Sequence, residues 1–282
     1  MAFPNAHYLV DVDHISQHLA DENLRIIDCA WDGAAYGRAH IPGAVLRPGH
    51  SYIKALDDDD TRSYSVPDVD AVRKLCRNMG IGPESDVVIY DDLGSLFATR
   101  LWWVLRYYGF EHVRILDGGW QAWASAGHPV SYQVPVVPVT ASLELKADPR
   151  RIIGMEELIR RHADSDLQLL DVRTDDEYFG VVFKGNKRKG RIPGATHLAW
   201  NRLLENSADA KAVRMLRPEA EVEGLIAAAG LDSSKEVVTH CQAAIRATHT
   251  AFVLEMMGFP PVRVYDGSME EWANTPDAPL ES

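Results

Sequence analysis

Short apolar runs alternate along this chain with longer segments of helical period. In the second half, MEELIRRHADS has the spacing of an amphipathic helix that begins after Gly154. Residues 167–173 (LQLLDVR) then predict a short apolar strand ending in polar residues. RPEAEVEGLIAAAG, residues 217–230, predicts a helix that begins near Pro218 and closes at Gly230. Residues 236–240 (EVVTH) predict a buried strand; a loop follows, then the helix ATHTAFVLEMMG, stopped by Gly258, and a strand in VRVYDG. This alternation predicts an α/β fold with a parallel sheet covered by helices on both faces. Such sheets bind ligands beyond the carboxyl ends of their strands, which is where Cys241 falls.

The pattern is written twice. HIPGAV at 40–45 returns as RIPGAT at 191–196, LDGGWQAW at 116–123 as YDGSMEEW at 265–272, and IIDCAWD at 26–32 as LLDVRTD at 169–175. The period is domain-sized, so the chain is a duplicated domain and not a solenoid. Residues 132–144 (YQVPVVPVTASLE) carry two prolines and no helical period, and predict an extended connector between domains at 1–131 and 145–282.

A length of 282 residues accommodates two domains of about 150 residues each. The net charge of −12 argues against nucleic acid or an anionic membrane as the main partner. It also requires any anionic substrate to be held by a local positive pocket. Cys29, Cys76 and Cys241 form no CxxC pair and leave an odd count, so a disulfide framework is not expected and a reducing compartment is. The N-terminal residues do not read as a signal peptide, and no run is long and apolar enough to span a membrane; the expected location is the cytoplasm.

Cys241 carries the chemistry in this reading. An apolar strand delivers it to the sheet edge, and small residues at Ala243 and Ala244 let the following backbone curl tightly. Successive amides and a helix N-terminus form a concavity that favours an anion, and a thiolate there is nucleophilic near neutral pH. Arg246 adds a fixed charge at the far lip. At the matching place the first half, YDDLGSLFATR, offers Asp91 or Asp92, neither of which can accept sulfur.

These residues resemble the rhodanese family of sulfurtransferases in its two-domain form. The resemblance rests on DVR at 171–173, RIPGA at 191–195, VTHCQAAIR at 238–246 and YDGSMEEWANTPDAP at 265–279, with AHIPGAV and LDGGWQAWASAGHPV in the first copy. It implies a tandem duplication of a rhodanese-like domain, with an inactive N-terminal copy and a catalytic C-terminal one. It further implies a ping-pong reaction: Cys241 takes sulfane sulfur from a small anionic donor such as thiosulfate, then passes it to cyanide, a thiol or a protein acceptor, with no metal or organic cofactor. Carried over by position, Cys241 is the persulfide cysteine and Gln242, Ala243, Ala244, Ile245 and Arg246 are the active-site loop. Arg173 faces the donor anion, and Trp200 lines the pocket. The apolar interior of this loop departs from the more basic loops of thiosulfate users, and 3-mercaptopyruvate is the alternative donor.

Competing readings are a cysteine-dependent phosphatase, a Cys–His hydrolase using His240 or His249, and a non-catalytic module that docks a sulfur carrier. Phosphatases place five residues between Cys and Arg, where this chain has four. Both histidines are expected to be structural, because His240 precedes Cys241 on a strand and points to the opposite face. Cys29, Cys76 and the aromatic cluster at 101–110 are expected to pack in the interior, and DDDD at 57–60 to form an exposed turn. The basic run GNKRKGR at 185–191, longer than its counterpart in the first half, is expected to border the active-site mouth and attract anionic donors.

Overall fold

The β-branched runs Val87–Ile89 and Val237–Val238 are too short for a helix and too apolar for an exposed strand. Each becomes the middle strand of a five-stranded parallel sheet. The computed structural model describes residues 3–31, 33–47, 65–205 and 212–281, and the DDDD run lies outside them.

In the first copy the order along the chain is β1 (Leu9–Val10), α1 (Val12–His18), β2 (Leu24–Asp28), α2 (Gly33–Arg38), β3 (Val45–Leu46), α3 (Val69–Asn78), β4 (Asp86–Tyr90), α4 (Leu96–Tyr107), β5 (Val113–Leu116) and α5 (Gly119–Ser125). The second copy repeats it with β6 (Ile152–Ile153), α6 (Met155–Arg161), β7 (Leu167–Asp171), α7 (Asp175–Tyr178), β8 (Thr196–His197), α8 (Glu219–Ala228), β9 (Glu236–His240), α9 (Ile245–Met256), β10 (Arg263–Tyr265) and α10 (Ser268–Trp272). Sheet orders are β1-β5-β4-β2-β3 and β6-β10-β9-β7-β8, the same topology twice. Even a charge pair recurs: Arg114 bonds Asp86 at the start of β4, and Arg263 bonds Glu236 at 2.8 Å at the start of β9.

The chain divides into two compact units, neither of them a single continuous stretch of sequence. One contains His7–Asp148 with Glu205–Leu216, the other Pro149–Leu204 and Arg217–Ser282 with Met1–Ala6. Residues 132–148 carry no regular secondary structure, and Val136 and Val139 on them are fully exposed. The segment is held to its own unit by bonds such as Lys146 N to the Tyr108 carbonyl at 3.0 Å.

Helix α9 matters most for the site. Every residue of it except Arg246 is buried, so the helix is a core element with a single polar exception near its start. At its other end Asn5 donates from its backbone to the Met256 carbonyl (3.0 Å) and from its side chain to the Glu255 carbonyl (2.8 Å). These are among the carbonyls that a helix leaves without internal partners. The aromatic cluster of α4 is interior, with Trp102 and Trp103 fully buried. Cys29 and Cys76 are also buried; burial pushes the Cys29 thiol well above its ordinary value and the Cys76 thiol up to about 12, so both are packing residues. No helix among the described residues is long and apolar enough to cross a membrane.

Candidate active site

Strand β9 is flanked by β7 and β10, and its last residue, His240, pairs in register with Asp171 at the end of β7. Cys241 is the next residue, just beyond the carboxyl end of the central strand, and only 1% of its surface is exposed. Three residues later the chain turns through Ala244, whose φ of 64° is left-handed, and enters α9. A methyl side chain is small enough to take that conformation at modest cost, and Ala243–Ala244 therefore permits the tight turn.

The loop is clamped from the start of α10. Ser268 is fully buried; its Oγ accepts from Cys241 N (3.2 Å) and Ala244 N (3.1 Å) and donates to the Tyr265 carbonyl (2.9 Å). The amides of Met269 and Glu270 donate to the carbonyls of Cys241 and Gln242 at 3.0 and 2.9 Å. With Ala244 N committed to Ser268, the amides of Ile245, Arg246 and Ala247 in the first turn of α9 have no partner within the helix. They lie, with the positive end of the helix dipole, four to six residues after Cys241 at the start of the helix that follows it.

Arg246 is not a free charge. Its guanidinium makes a bidentate pair with Glu177, at 2.5 and 2.9 Å. Glu177 is in turn fixed by a capping box at the start of α7, where it accepts from the Thr174 hydroxyl at 2.8 Å. Burial opposes the charge on each partner. Even so, the Arg246 bond holds Glu177 at about 2, and Glu177 together with the Cys241 sulfur holds Arg246 above its ordinary value. Arg246 is thus anchored by a buried carboxylate while its charge also acts on the thiol.

Arg173 is also held by a buried carboxylate. It is 2% exposed, with Nε and one Nη bonded to Asp171 at 2.6–3.0 Å and that same Nη bonded to the Gly190 carbonyl at 3.1 Å. Two residues apart on one strand edge, Asp171 and Arg173 meet on the same side, and the buried carboxylate claims the guanidinium. The contacts of Arg173 tie Asp171 to the segment before RIPGA. Trp200 packs edge-on against His249 at 5.3 Å between ring centres and is partly exposed.

Both histidines are fully buried and have no hydrogen-bond partner for either ring nitrogen. Burial lowers each to about 4, so both are neutral at pH 7, and neither is placed to take a proton from Cys241. Among the described residues no cluster of three or more His, Cys, Asp or Glu is arranged to hold a metal ion.

Glu177 joins the site, as do Ser268 and Asn186, which the sequence showed only as members of the YDGSMEEW motif and the GNKRKGR run. Asn186 and Gln242 exchange amide bonds at 2.8 and 3.1 Å, tying the 185–191 run to the active-site loop. The motif T-x-x-E at Thr174–Glu177 was readable as a capping box, although that signal announces a helix and not a partner for Arg246.

The first copy shows what the same turn does with another residue. Asp91 follows β4 as Cys241 follows β9, and Ser95 takes the left-handed turn at φ 65°. One Asp91 oxygen accepts from Leu93 N and Ser95 N at 2.8 and 2.9 Å. The other accepts from Phe97 N and Ala98 N, in the first turn of α4, at 2.7 and 2.9 Å. Gly119 takes the place of Ser268; a Cβ there would lie 2.2 Å from the Asp91 carbonyl oxygen.

Comparison with known proteins finds a rhodanese-like domain twice, over residues 11–126 and 154–275. The sulfur carrier protein TtuD of Thermus thermophilus is 30% identical, over 99% of this chain and 98% of its own. A thiosulfate sulfurtransferase of Corynebacterium glutamicum is 32% identical, over 97% of this chain and 90% of its own. Among solved structures, an EanB variant carrying a cysteine persulfide, with ergothioneine, superposes with a TM-score of 0.88 at 23% identity, covering 99% of this chain and 71% of that one. At that identity the likeness is one of fold.

Proposed function

The chain belongs to the rhodanese family, carries two copies of its domain and is a sulfurtransferase of that type; from that footing we propose that Cys241 is the sulfur-carrying residue and that it cycles between thiolate and persulfide. The Cys241 thiolate attacks the sulfane sulfur of a donor such as thiosulfate. The donor's S–S bond breaks, sulfite leaves with the electron pair, and the sulfur remains on Cys241. Cyanide or a thiolate then attacks that outer sulfur, and Cys241 departs as a thiolate, ready for another cycle. The N-terminal copy, 1–131, has no nucleophile at this position and serves as a structural partner of the catalytic copy, 145–282.

One observation carries the reading: the turn that the first copy fills with the Asp91 carboxylate, met by four backbone amides, holds a thiol in the second copy. In the second copy Ala244 N is taken by Ser268, and the amides at the start of α9 remain to stabilise a thiolate or a charged persulfide. Arg246 adds a guanidinium beside the sulfur. Gln242, Ala243, Ala244 and Ile245 form the rim that a donor meets, and Trp200 stands against the same helix.

A second donor, 3-mercaptopyruvate, is favoured by the state of the arginines. Arg173 and Arg246 are both paired with buried carboxylates, which leaves little unbalanced positive charge for a dianion. Intact mass spectrometry after exposure to thiosulfate and, separately, to 3-mercaptopyruvate ranks the two. The expected result is a gain of one sulfur atom that Cys241→Ser does not show. Sulfur retained by that variant would move the chemistry elsewhere.

A further inference from the structure

The segment between β7 and the RIPGA motif is eight residues longer than its counterpart in the first copy. Its inner side is fastened. Asn186 is bonded to Gln242, the Lys187 amide donates to the Asn274 side chain at 2.8 Å, and the Arg188 guanidinium is spent on carbonyls at and after the end of α10, including those of Trp272 (2.9 Å) and Ala278 (2.7 Å). The one basic side chain that the sequence placed at the centre of this run therefore faces inward.

The outer side has a different character. Phe179 is 65% and Val181 70% exposed, and Val182 and Phe183 beside them are also in water. Lys184, Lys187 and Lys189 are exposed around them, and the Lys189 ammonium lies 4.8 Å from the centre of the Phe183 ring. Consecutive exposed apolar side chains on a fastened loop are unfavourable in water, at roughly 25 cal/mol for each Å². A patch of this kind rimmed by polar groups marks a surface that another molecule covers.

We infer that residues 179–189 form a docking surface for a protein sulfur acceptor whose face is acidic and apolar, so that its thiol is delivered to the rim of the Cys241 loop. A small donor anion would use the lysines and leave the phenylalanine and valines without purpose. The charge rule is complementarity: on a chain of net charge −12, residues 178–191 carry Lys184, Lys187 and Lys189 exposed and no acidic residue, and the exposed Asp175 and Asp176 lie at the other end of the segment, so the positive charge is concentrated at 184–189. The bond between Asn186 and Gln242 places that field directly against the loop that holds the sulfur. In the delivery step the acceptor thiolate attacks the outer sulfur of the Cys241 persulfide, the S–S bond to Cys241 breaks, and the acceptor leaves as a persulfide while Cys241 regains its thiolate.

The inference rests on the persulfide reading above, and its test separates the two. The protein is loaded with sulfur, confirmed by mass, and discharged with cyanide or with short synthetic peptides. One peptide carries a cysteine among glutamates and leucines; its twin has lysine for glutamate. The acidic peptide is expected to discharge wild type about tenfold faster than the basic one, an advantage that falls with salt. Lys184→Glu/Lys187→Glu/Lys189→Glu should remove that advantage, and Phe179→Ser/Val181→Ser should slow both peptides, while cyanide discharge stays within about twofold throughout. Equal peptide rates in wild type and variants overturn the docking surface. A raised Michaelis constant for thiosulfate with unchanged peptide rates also overturns it, in favour of small-donor steering. Failure of wild type to load sulfur or yield it to cyanide removes the persulfide reading itself, and the docking surface with it.

Discussion

The turns after β4 and β9 share a strand, a left-handed residue and a buried twelve-residue helix, yet they end in opposite chemistry. In the first copy a carboxylate occupies the ring of amides and satisfies it permanently. In the second a thiol stands in the same place, Ser268 takes up two of the loop amides, and an arginine approaches the sulfur. The fold supplies an anion-stabilising turn in both copies; the residue within it decides whether the turn is a structural knot or a reactive one. Phe97 stands where Arg246 does in the order of each helix, so the first copy lacks the accompanying cation as well.

The most severe way to break the comparison is to make the turns alike. Cys241→Asp should abolish sulfur transfer, by at least ~1000-fold in kcat/KM, while leaving the melting temperature close to that of wild type. Unfolding of the variant would mean that the second turn is no carboxylate cradle. The reciprocal Asp91→Cys should gain no sulfur by mass after thiosulfate, for want of an arginine at Phe97.

A milder change gives the active turn the glycine of its counterpart. Ser268→Gly strips the acceptor from the amides of Cys241 and Ala244, and should lower kcat/KM about tenfold, equivalent to ~1.4 kcal/mol. Steady-state rates with cyanide read this directly, and an unchanged value would show that the clamp does not position the sulfur.

The smallest effect concerns pH. Burial opposes the charge of Glu177, but Arg246 holds it at about 2, below its ordinary 4.5. Its contribution to stability is therefore complete above pH 4.5 and declines as the pH falls towards 2. Glu177→Gln should flatten this part of the melting curve against pH by a few degrees, an order set by about 1 kcal/mol in a unit of this size. Parallel curves for the two proteins would show that the pair does not stabilise the folded state.

The duplication, the parallel sheets and the place of Cys241 were legible because each is written in a short contiguous stretch. The partners of the site were not, because they lie far away along the chain. Glu177 meets Arg246 across 69 positions, Asn186 meets Gln242 across 56, and Ser268 meets Cys241 across 27. Arg173 is a case of a short-range partner that was equally hidden. The family resemblance gave it a donor-facing role but not its pairing with Asp171, only two positions away, because sequence order does not say which neighbour a charge will meet. That each compact unit is assembled from separate stretches of the chain is likewise invisible to a reading that cuts the chain at one place.

The bonds that Asn5 makes to the end of α9 have a consequence in time. They join positions 250 apart, so during synthesis Asn5 waits while the intervening chain is made, on the order of tens of seconds at ribosomal speed. The helix that begins four residues after Cys241 is closed at its far end by a segment translated long before it. An affinity tag fused ahead of Asn5 would therefore be no neutral handle: it would sit at the foot of the helix that holds the reactive turn.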